Sequence, residues 1–290
     1  MKWGDVVPLA KDTFSQWSEH KSPRLAAALA YYTVVSIASL LLIVIAIAGI
    51  FFGHDAAVRQ ILGQLGSLIG QKSQEQLMGM VAAASQPKAS VVASIVGVVT
   101  LVLAATGVVV QLQDALDVVW NVEEKKTGGG LWALVRTRLL SIAMLLGLTF
   151  LMLVSLVVSV GLSAINTYSS KLIPALVYLM QFINALFDIV ILTALFAIIF
   201  KYLPKVPVRW RDVRVGALIT ALLFIVGQAV ITLYLGKLNA SSPYGSAGAL
   251  IIVLLWVYYS AQLLLLGAEF TNVWASRFPA QTHAAGPGKP

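Results

Sequence analysis

The chain lacks cysteine altogether and is poor in charged residues. The absence of cysteine excludes disulfides, thiolate metal sites and a cysteine nucleophile. Charged residues make up 11% of the 290 residues and hydrophobic residues 59%, whereas a soluble domain carries about 25% charged and about 45–50% apolar residues. So few polar side chains cannot cover a chain of this length in water, and the surplus apolar surface must face lipid or a partner. These shortages predict a membrane protein.

Side chains suited to catalysis are equally scarce. The three histidines, His20, His54 and His283, stand far apart in the sequence and belong to no run of metal ligands. Metal-dependent RNA cleavage needs several histidine and carboxylate ligands on one aqueous face, so the sequence does not favour a nuclease. The glycine-rich stretch 127–130 lacks the lysine and hydroxyl residue that complete a phosphate loop. We therefore predict that the chain is no enzyme and has no catalytic residue, metal or cofactor.

Six segments are apolar over the length of about 20 residues that a helix needs to cross a bilayer. They cover residues 26–52, 90–112, 139–162, 174–202, 213–235 and 244–274. Ser22-Pro23 and Ser242-Pro243 precede the first and the sixth segment, and each pair predicts a capping hydroxyl followed by proline at the first helical position. The predicted fold is an all-α bundle of six transmembrane helices.

Two further segments predict amphipathic helices at the membrane surface. Near the N-terminus, Trp3, Val7, Phe14 and Trp17 share one face, which fits a helix in the headgroup layer or one packed on the bundle. In the segment 55–86, apolar residues recur every three and four positions. We expect two short helices in this segment that rest on the bundle or the bilayer, with a lid or a dimer contact as the alternative.

Lysine and arginine are distributed unevenly over the predicted connections. Fifteen lie in the N-terminal segment, the second-to-third and fourth-to-fifth connections and the C-terminal tail, whereas five lie in the other connections. Such a bias places the richer side, and with it both termini, in the cytoplasm. We divide the chain into an interfacial N-terminal segment (1–25), a membrane domain (26–275) and a disordered tail (276–290). The bias also accounts for the net charge of +8 through anionic lipid headgroups, without nucleic acid.

Several short stretches carry a family resemblance. They are AAALAYYT at residues 26–33, QDAL at 113–116, YLP at 202–204, WRDV at 210–213, GAL at 216–218, YGSAG at 244–248, LWVY at 255–258 and LGAE at 266–269. Together they resemble the YihY/BrkB family of bacterial inner-membrane proteins over residues 20–275. Members of that family often have a proline in the first span, where this chain has Ser39.

The resemblance implies a six-span bundle in the bacterial inner membrane, without a settled activity. Members have been called ribonuclease BN, serum-resistance factors, and transporters or lipid exporters, and the ribonuclease label is widely regarded as a misassignment. We expect a transporter or exporter of a lipid or another amphiphilic small molecule. A non-transporting membrane scaffold is the alternative, and a ribonuclease is the remote one. Membrane lipids are the expected partners, a homo-oligomer stays open, and nucleic acid is not expected.

Asp188 is the most informative single residue, because it lies near the middle of the fourth predicted span. A carboxylate at that depth costs about 2.5–3.5 kcal/mol on insertion scales, so it should face the bundle interior, a partner or a wet cavity, or be protonated. Gln181 and Asn184 share its helix face, and the three form a candidate path for a substrate or for protons. The alternative is interhelical hydrogen bonding to Gln228 or Gln262, which contributes about 0.6–2 kcal/mol.

Other acidic residues lie near predicted helix ends on the cytoplasmic side. Glu269, near the end of the sixth span, predicts an ion pair with a basic residue, and gating is the alternative. The candidate partners are Arg24, Arg136 and Arg138. Asp114 and Asp117 share one face near the end of the second span. We interpret these two carboxylates as solvated helix-end charges, with ion pairing or gating as the alternatives.

Overall fold

The computed structural model describes residues 6–69, 74–75, 78–79, 106–122, 147, 175–237 and 245–278. Within these ranges all regular secondary structure is helical, which confirms the all-α class for the part described. The helices are α1 (Val6–Glu19), α2 (Ser22–Phe52), α3 (His54–Ile69), α4 (described over 106–119), α5 (Ala175–Tyr202), α6 (Trp210–Lys237) and α7 (Gly245–Arg277).

The last three helices correspond closely to the fourth, fifth and sixth predicted spans. Three segments in them are long and apolar enough to cross a membrane: Ala185–Tyr202, Trp210–Ile231 and Ile251–Arg277. Pro204 and Pro207 lie between α5 and α6, where proline ends one helix and separates it from the next. The helices α5 and α6 are consequently adjacent and antiparallel, and α6 packs in turn along α7.

The first predicted span coincides with α2, which is bent. Its parts Ser22–Ile37 and Leu41–Ile50 are inclined by 51° and count as a fourth membrane span when taken together. Ser39 lies at this bend, so the chain bends there without a proline. The third predicted span lies outside the described residues, and so does most of the second, of which the structure describes the part within α4.

The start of α2 differs from its prediction. Lys21 precedes the helix in the left-handed conformation, with φ of 54°, and no side chain caps the helix there. Ser22 is the first helical residue, and its hydroxyl donates to Glu269 Oε1 at 3.4 Å. The predicted capping role of Ser22 is therefore wrong, because its hydroxyl donates a hydrogen bond to a buried carboxylate instead of capping the helix. Ser242 and Pro243 lie outside the described residues.

The main hydrophobic core lies where α2, α4, α5, α6 and α7 meet. One fully or nearly fully buried side chain from each helix represents it: Leu29, Leu116, Phe200, Val213 and Leu265. Full burial of a side chain of this size contributes about 1.5–3 kcal/mol. The core lies toward the end of the bundle where α2 and α6 begin and where α4, α5 and α7 end, and it fixes the positions of the polar groups at that end.

Glycine and threonine make the crossing of α6 and α7 unusually close. A Cβ added to Gly216 would overlap the side chain of Thr271, and a Cβ added to Gly267 would overlap the side chain of Thr220. Each threonine hydroxyl donates to the carbonyl of the glycine four residues earlier on its own helix, at 2.7 Å. Small residues allow membrane helices to approach in this way. Glu269 follows Gly267 by two positions, so its side chain lies on the face of α7 away from this crossing, where it contacts His20 and Ser22.

The helices α1 and α3 pack on the outside of the bundle. In α1, Leu9 and Thr13 are buried against the bundle, whereas Val7 is 74% and Phe14 62% exposed. One side of the helix thus packs on the bundle and another presents apolar groups outward, while its place in the headgroup layer stays a prediction. In α3, Val58 and Ile61 pack against α2 and α7, as expected for an amphipathic helix. Most of the second helix expected within 55–86 lies outside the described residues.

Candidate functional site

Among the described residues, every ion pair lies at one end of the bundle, which we call the polar end. It comprises the start of α2, the end of α4, the turn between α5 and α6, and the ends of α1 and α7. The pairs are His20–Glu269, Lys205–Asp114, Lys205–Asp117, Arg209–Asp212, Arg211–Asp212 and Arg277–Asp12. This is the end that the distribution of lysine and arginine predicts to be cytoplasmic.

The most deeply buried group of the polar end is the Glu269 carboxylate. Its side chain is 0% exposed, and Oε1 lies 2.8 Å from Nδ1 of His20 and 3.4 Å from the Ser22 hydroxyl. The other ring nitrogen of His20, Nε2, lies 3.2 Å from Oδ1 of Asn121, which follows α4. The structure thus brings together residues from the α1–α2 turn, α4 and α7.

The residue beside Glu269 differs from the candidates named from the sequence. Arg24 is exposed, and Arg136 and Arg138 lie outside the described residues. His20 was missed because its distance from Glu269 along the chain hides the contact. The sequence does hold one signal for this contact. His20 precedes the first predicted span and Glu269 lies near the end of the sixth, so both are predicted on the same side of the membrane.

Asp114 and Asp117 meet a lysine of the α5–α6 turn. The Lys205 ammonium lies 2.6 Å from Asp117 Oδ2 and 4.0 Å from Asp114 Oδ1, and the Lys205 backbone N–H donates to Asp117 Oδ1 at 2.9 Å. The Gln113 amide donates to the Leu203 carbonyl at 3.0 Å. Asp117 is buried and Asp114 is exposed, so the two carboxylates differ in how strongly the fold constrains them.

The remaining polar contacts attach α6 and α7 to their surroundings. Asp212, which is fully buried in the first turn of α6, lies 2.9 Å from Arg209 Nε and 3.6 Å from Arg211 Nε. The Asn272 amide of α7 donates to the Val119 carbonyl at 2.9 Å. Arg277 pairs with Asp12 and so connects α7 to α1.

Asp188 lies apart from the polar end, in the apolar middle of α5, and its residue is exposed. Among the described residues it has no hydrogen-bond or ion-pair partner. Gln181 and Asn184 precede it on the same helix, and Gln228 of α6 and Gln262 of α7 are half-buried. The described contacts join neither glutamine to Asp188, so the polar path along α5 stays a prediction.

Residues that ligate metals do not gather in the described part of the chain, where no group of three or more histidine, cysteine or carboxylate side chains occurs. The polar groups that are gathered serve as hydrogen-bond and ion-pair partners. What the polar end can do chemically is therefore to hold or exchange protons at His20 and the carboxylates, and to attract anionic headgroups.

Long apolar helices with exposed apolar faces and polar bonding at one end define a multi-pass helical membrane protein. Comparison with known families gives the same class. A family model described as Virulence factor BrkB matches residues 13–289, which is nearly the whole chain. The chain belongs to this family, as the resemblance predicted.

Curated relatives carry the name UPF0761 membrane protein. The relative from Mannheimia succiniciproducens is 26% identical over 278 residues, which cover 90% of this chain and 87% of the relative. Those from Verminephrobacter eiseniae and Alkalilimnicola ehrlichii are 26% and 27% identical, and the matches cover 46% and 57% of their own lengths. The chain therefore spans about half of these two longer relatives. No solved structure matches the chain.

Proposed function

We propose that the chain crosses the bacterial inner membrane six times, with both termini in the cytoplasm, and transports a lipid or another amphiphilic molecule. The polar end is then the cytoplasmic end. The described spans, the basic connections and the membership of the BrkB family support this arrangement. Membrane lipids are its immediate partners, and the residues before 26 and after 275 lie on the cytoplasmic side.

The observation that carries the transport proposal is the position of Asp188. Leu186 and Val190, two residues before and after it, are exposed apolar side chains that suit lipid. On a helix these two residues share the face opposite Asp188. A carboxylate at this depth costs about 2.5–3.5 kcal/mol unless it meets water or a partner, and such residues typically mark the path of a substrate or an ion. The described residues provide Asp188 with no partner, and on this proposal the water or substrate of a transport path solvates it.

The rest of the path is formed by amides. Gln181 and Asn184 extend the Asp188 face along α5 toward the beginning of that helix. Gln228 and Gln262 are half-buried on the helices that follow. Amides bind the phosphate and ester oxygens of a lipid headgroup without adding charge to the membrane interior, while the exposed apolar surface of α5 accommodates acyl chains.

A non-transporting scaffold is the second candidate, and the filled core favours it. Leu116, Val213 and Leu265 are fully buried and Phe200 packs against Trp120 with ring centroids 6.0 Å apart. A bundle of this kind at the polar end provides a firm platform for a partner protein. On this alternative, Asp188 binds a partner helix in the membrane.

The test is a lipid-transfer assay on the full chain reconstituted in vesicles with a fluorescent phospholipid in one leaflet. The transport proposal expects transfer by the native chain and its loss, by at least about tenfold, in Asp188→Asn. The matched control is Asp55→Asn, the same exchange at an exposed carboxylate in the first turn of α3, which should transfer as the native chain does. Equal transfer by protein-free vesicles, or an active Asp188→Asn variant, would refute the proposal and leave the scaffold.

A further inference from the structure

The geometry of the contact between His20 and Glu269 indicates which ring nitrogens of His20 carry hydrogen. Nδ1 of His20 faces a carboxylate oxygen, and Nε2 faces the amide oxygen of Asn121. With an ionised Glu269 and with Oδ1 of Asn121 toward the ring, both partners are acceptors, and a ring that carries hydrogen on both nitrogens satisfies both. The arrangement suits an imidazolium that donates to Glu269 at 2.8 Å and to Asn121 at 3.2 Å.

The surroundings of Glu269 require a positive partner. The carboxylate is fully buried, and its second oxygen, Oε2, has no hydrogen bond among the described residues. A buried ionised carboxylate needs a cation or a proton to be tolerated. Lys21 and Arg24, the next cations along the chain, are exposed and so do not serve it.

Other titratable groups near the contact do not replace His20. Glu19, immediately before His20, is a carboxylate that acts electrostatically on Glu269, and it adds negative charge to the site. Asp117 of α4 is bonded to Lys205. Of the described groups, His20 is therefore the one whose charge can change while it remains bonded to Glu269.

Two left-handed residues lie at the contact. Lys21, which follows His20, has φ of 54°, and Asn121, which His20 contacts, has φ of 49°. Both stand at helix ends, where the Lys21 N–H donates to the Ser18 carbonyl at 3.1 Å and the Val122 N–H donates to the Asp117 carbonyl at 2.9 Å. The bond between His20 and Asn121 therefore joins the α1–α2 turn to the end of α4.

We propose that His20 and Glu269 form the binding site for a proton that drives the transport, a site reached from the cytoplasm past Asn121. The exchanged proton is the one on Nε2 of His20. It passes between Nε2 and water on the exposed Asn121 side, while the hydrogen on Nδ1 stays bonded to Glu269. After release, the Asn121 amide turns so that its N–H donates to the bare Nε2.

Proton release weakens the connection between the α1–α2 turn and α7. With the proton bound, a cation faces the Glu269 carboxylate, whereas a neutral imidazole leaves that buried carboxylate without an opposite charge. The charge pair is therefore present with the proton bound and is lost after its release, while the hydrogen bond from Nδ1 to Glu269 remains. Substrate release or helix movement follows this change.

Nitrogen NMR on the full chain in lipid nanodiscs tests the proton site directly. The chain has three histidines, so selective labelling of histidine gives a readable spectrum, and the signal of His20 is the one that disappears in His20→Gln. We expect the His20 ring to be doubly protonated in the native chain at pH 6. In Glu269→Gln, the ring should lose one of these two protons at the same pH. His54→Gln, which removes the histidine that begins α3, is the matched control and should leave the His20 signal unchanged.

A His20 ring with one bare nitrogen at pH 6, or the same His20 signal in the native chain and Glu269→Gln, would overturn the proposal. Amide hydrogen exchange gives a second readout, because exchange in the α1–α2 turn should become faster as the pH rises beyond the intrinsic effect, and should lose this excess in Glu269→Gln. If the excess is absent in the native chain, the site does not control the turn.

The inference rests on the proposed transport, and one further assay separates the two. Lipid transfer should be accelerated at least about threefold by a pH difference across the vesicle membrane in the native chain, and not in His20→Gln. If no lipid moves under any condition, the transport proposal fails while the NMR result still decides the proton site. If lipid moves equally with and without the pH difference, transport stands and its coupling to His20 is refuted.

Discussion

Glu269 and Asp188 are both carboxylates on long apolar helices, and the chain treats them in opposite ways. Glu269 is fully buried at the polar end, beside His20 and Ser22. Asp188 is exposed in the middle of α5 and has no partner among the described residues. The first is built into the packing of the helices, whereas the second contributes nothing to it. The difference teaches that Glu269 is a group on which the packing of the helices depends, whereas Asp188 is one whose proposed role lies in transport.

Glu269→Ala should have the largest effect on stability. Removing one member of a buried charge pair leaves the other uncompensated, which costs about 3–5 kcal/mol. We expect the midpoint of unfolding of Glu269→Ala in detergent to fall strongly. The midpoint of Glu269→Gln should fall less, because the amide retains an acceptor for Ser22. Equal unfolding midpoints for Glu269→Ala and Asp188→Ala would break the comparison between the two carboxylates.

Gly267→Ala should come next, because the added methyl group overlaps Thr220 at the crossing that positions Glu269. Overpacking of this kind costs about 1–3 kcal/mol. Gly63→Ala is the matched control, since a Cβ at that exposed position in α3 meets nothing within 4 Å. In the control we expect a gain of up to about 1 kcal/mol from higher helix propensity. Both are measured by thermal unfolding, and a neutral Gly267→Ala would show that the close crossing is not needed.

Asp117→Ala should have a moderate effect. It removes the acceptor of the Lys205 backbone N–H together with the ion pair, at a cost of about 1–2 kcal/mol. Asp114→Ala, on the same helix face but exposed and 4.0 Å from the same ammonium, should cost less than about 0.5 kcal/mol. Chemical unfolding of the two variants side by side checks this, and a reversed order would mean that burial does not set the importance of these carboxylates.

Asp188→Asn should have the smallest effect on the fold. Because no described partner is lost, the free energy of unfolding should change by less than about 0.5 kcal/mol. Abundance in the membrane fraction and thermal unfolding measure it. A large loss of stability would show that Asp188 is bonded within the bundle, and it would then resemble Glu269.

Much of the architecture follows from the sequence. The apolar stretches that became α5, α6 and α7 are long and interrupted by Pro204, Pro207 and Ser242-Pro243, so their extents could be predicted to within a few residues. The amphipathic period predicted α3, because its apolar side needs only the neighbouring surface to pack against. These features depend on residues that are close in the chain.

The contacts between distant segments could not be predicted in the same way. The pairing of His20 with Glu269 joins residues 249 positions apart, and it turned Ser22 from an expected helix cap into a partner of the carboxylate. The matching Gly-x-x-x-Thr patterns at Gly216–Thr220 and Gly267–Thr271 are visible in the sequence, yet only the helix crossing shows that each threonine covers the other glycine. For Asp188, depth in the membrane could be predicted from the sequence, whereas the identity of what it faces depends on the packing of other helices.

The exposure of residue 188 to water is the most direct test of the account. The chain has no cysteine, so single-cysteine variants need no further change. We predict that Asp188→Cys in reconstituted vesicles reacts with a water-soluble, membrane-impermeant thiol reagent, whereas Leu186→Cys and Val190→Cys, exposed on the opposite face of α5, do not. Labelling at position 188 as slow as at the two lipid-facing controls would contradict a polar path along α5.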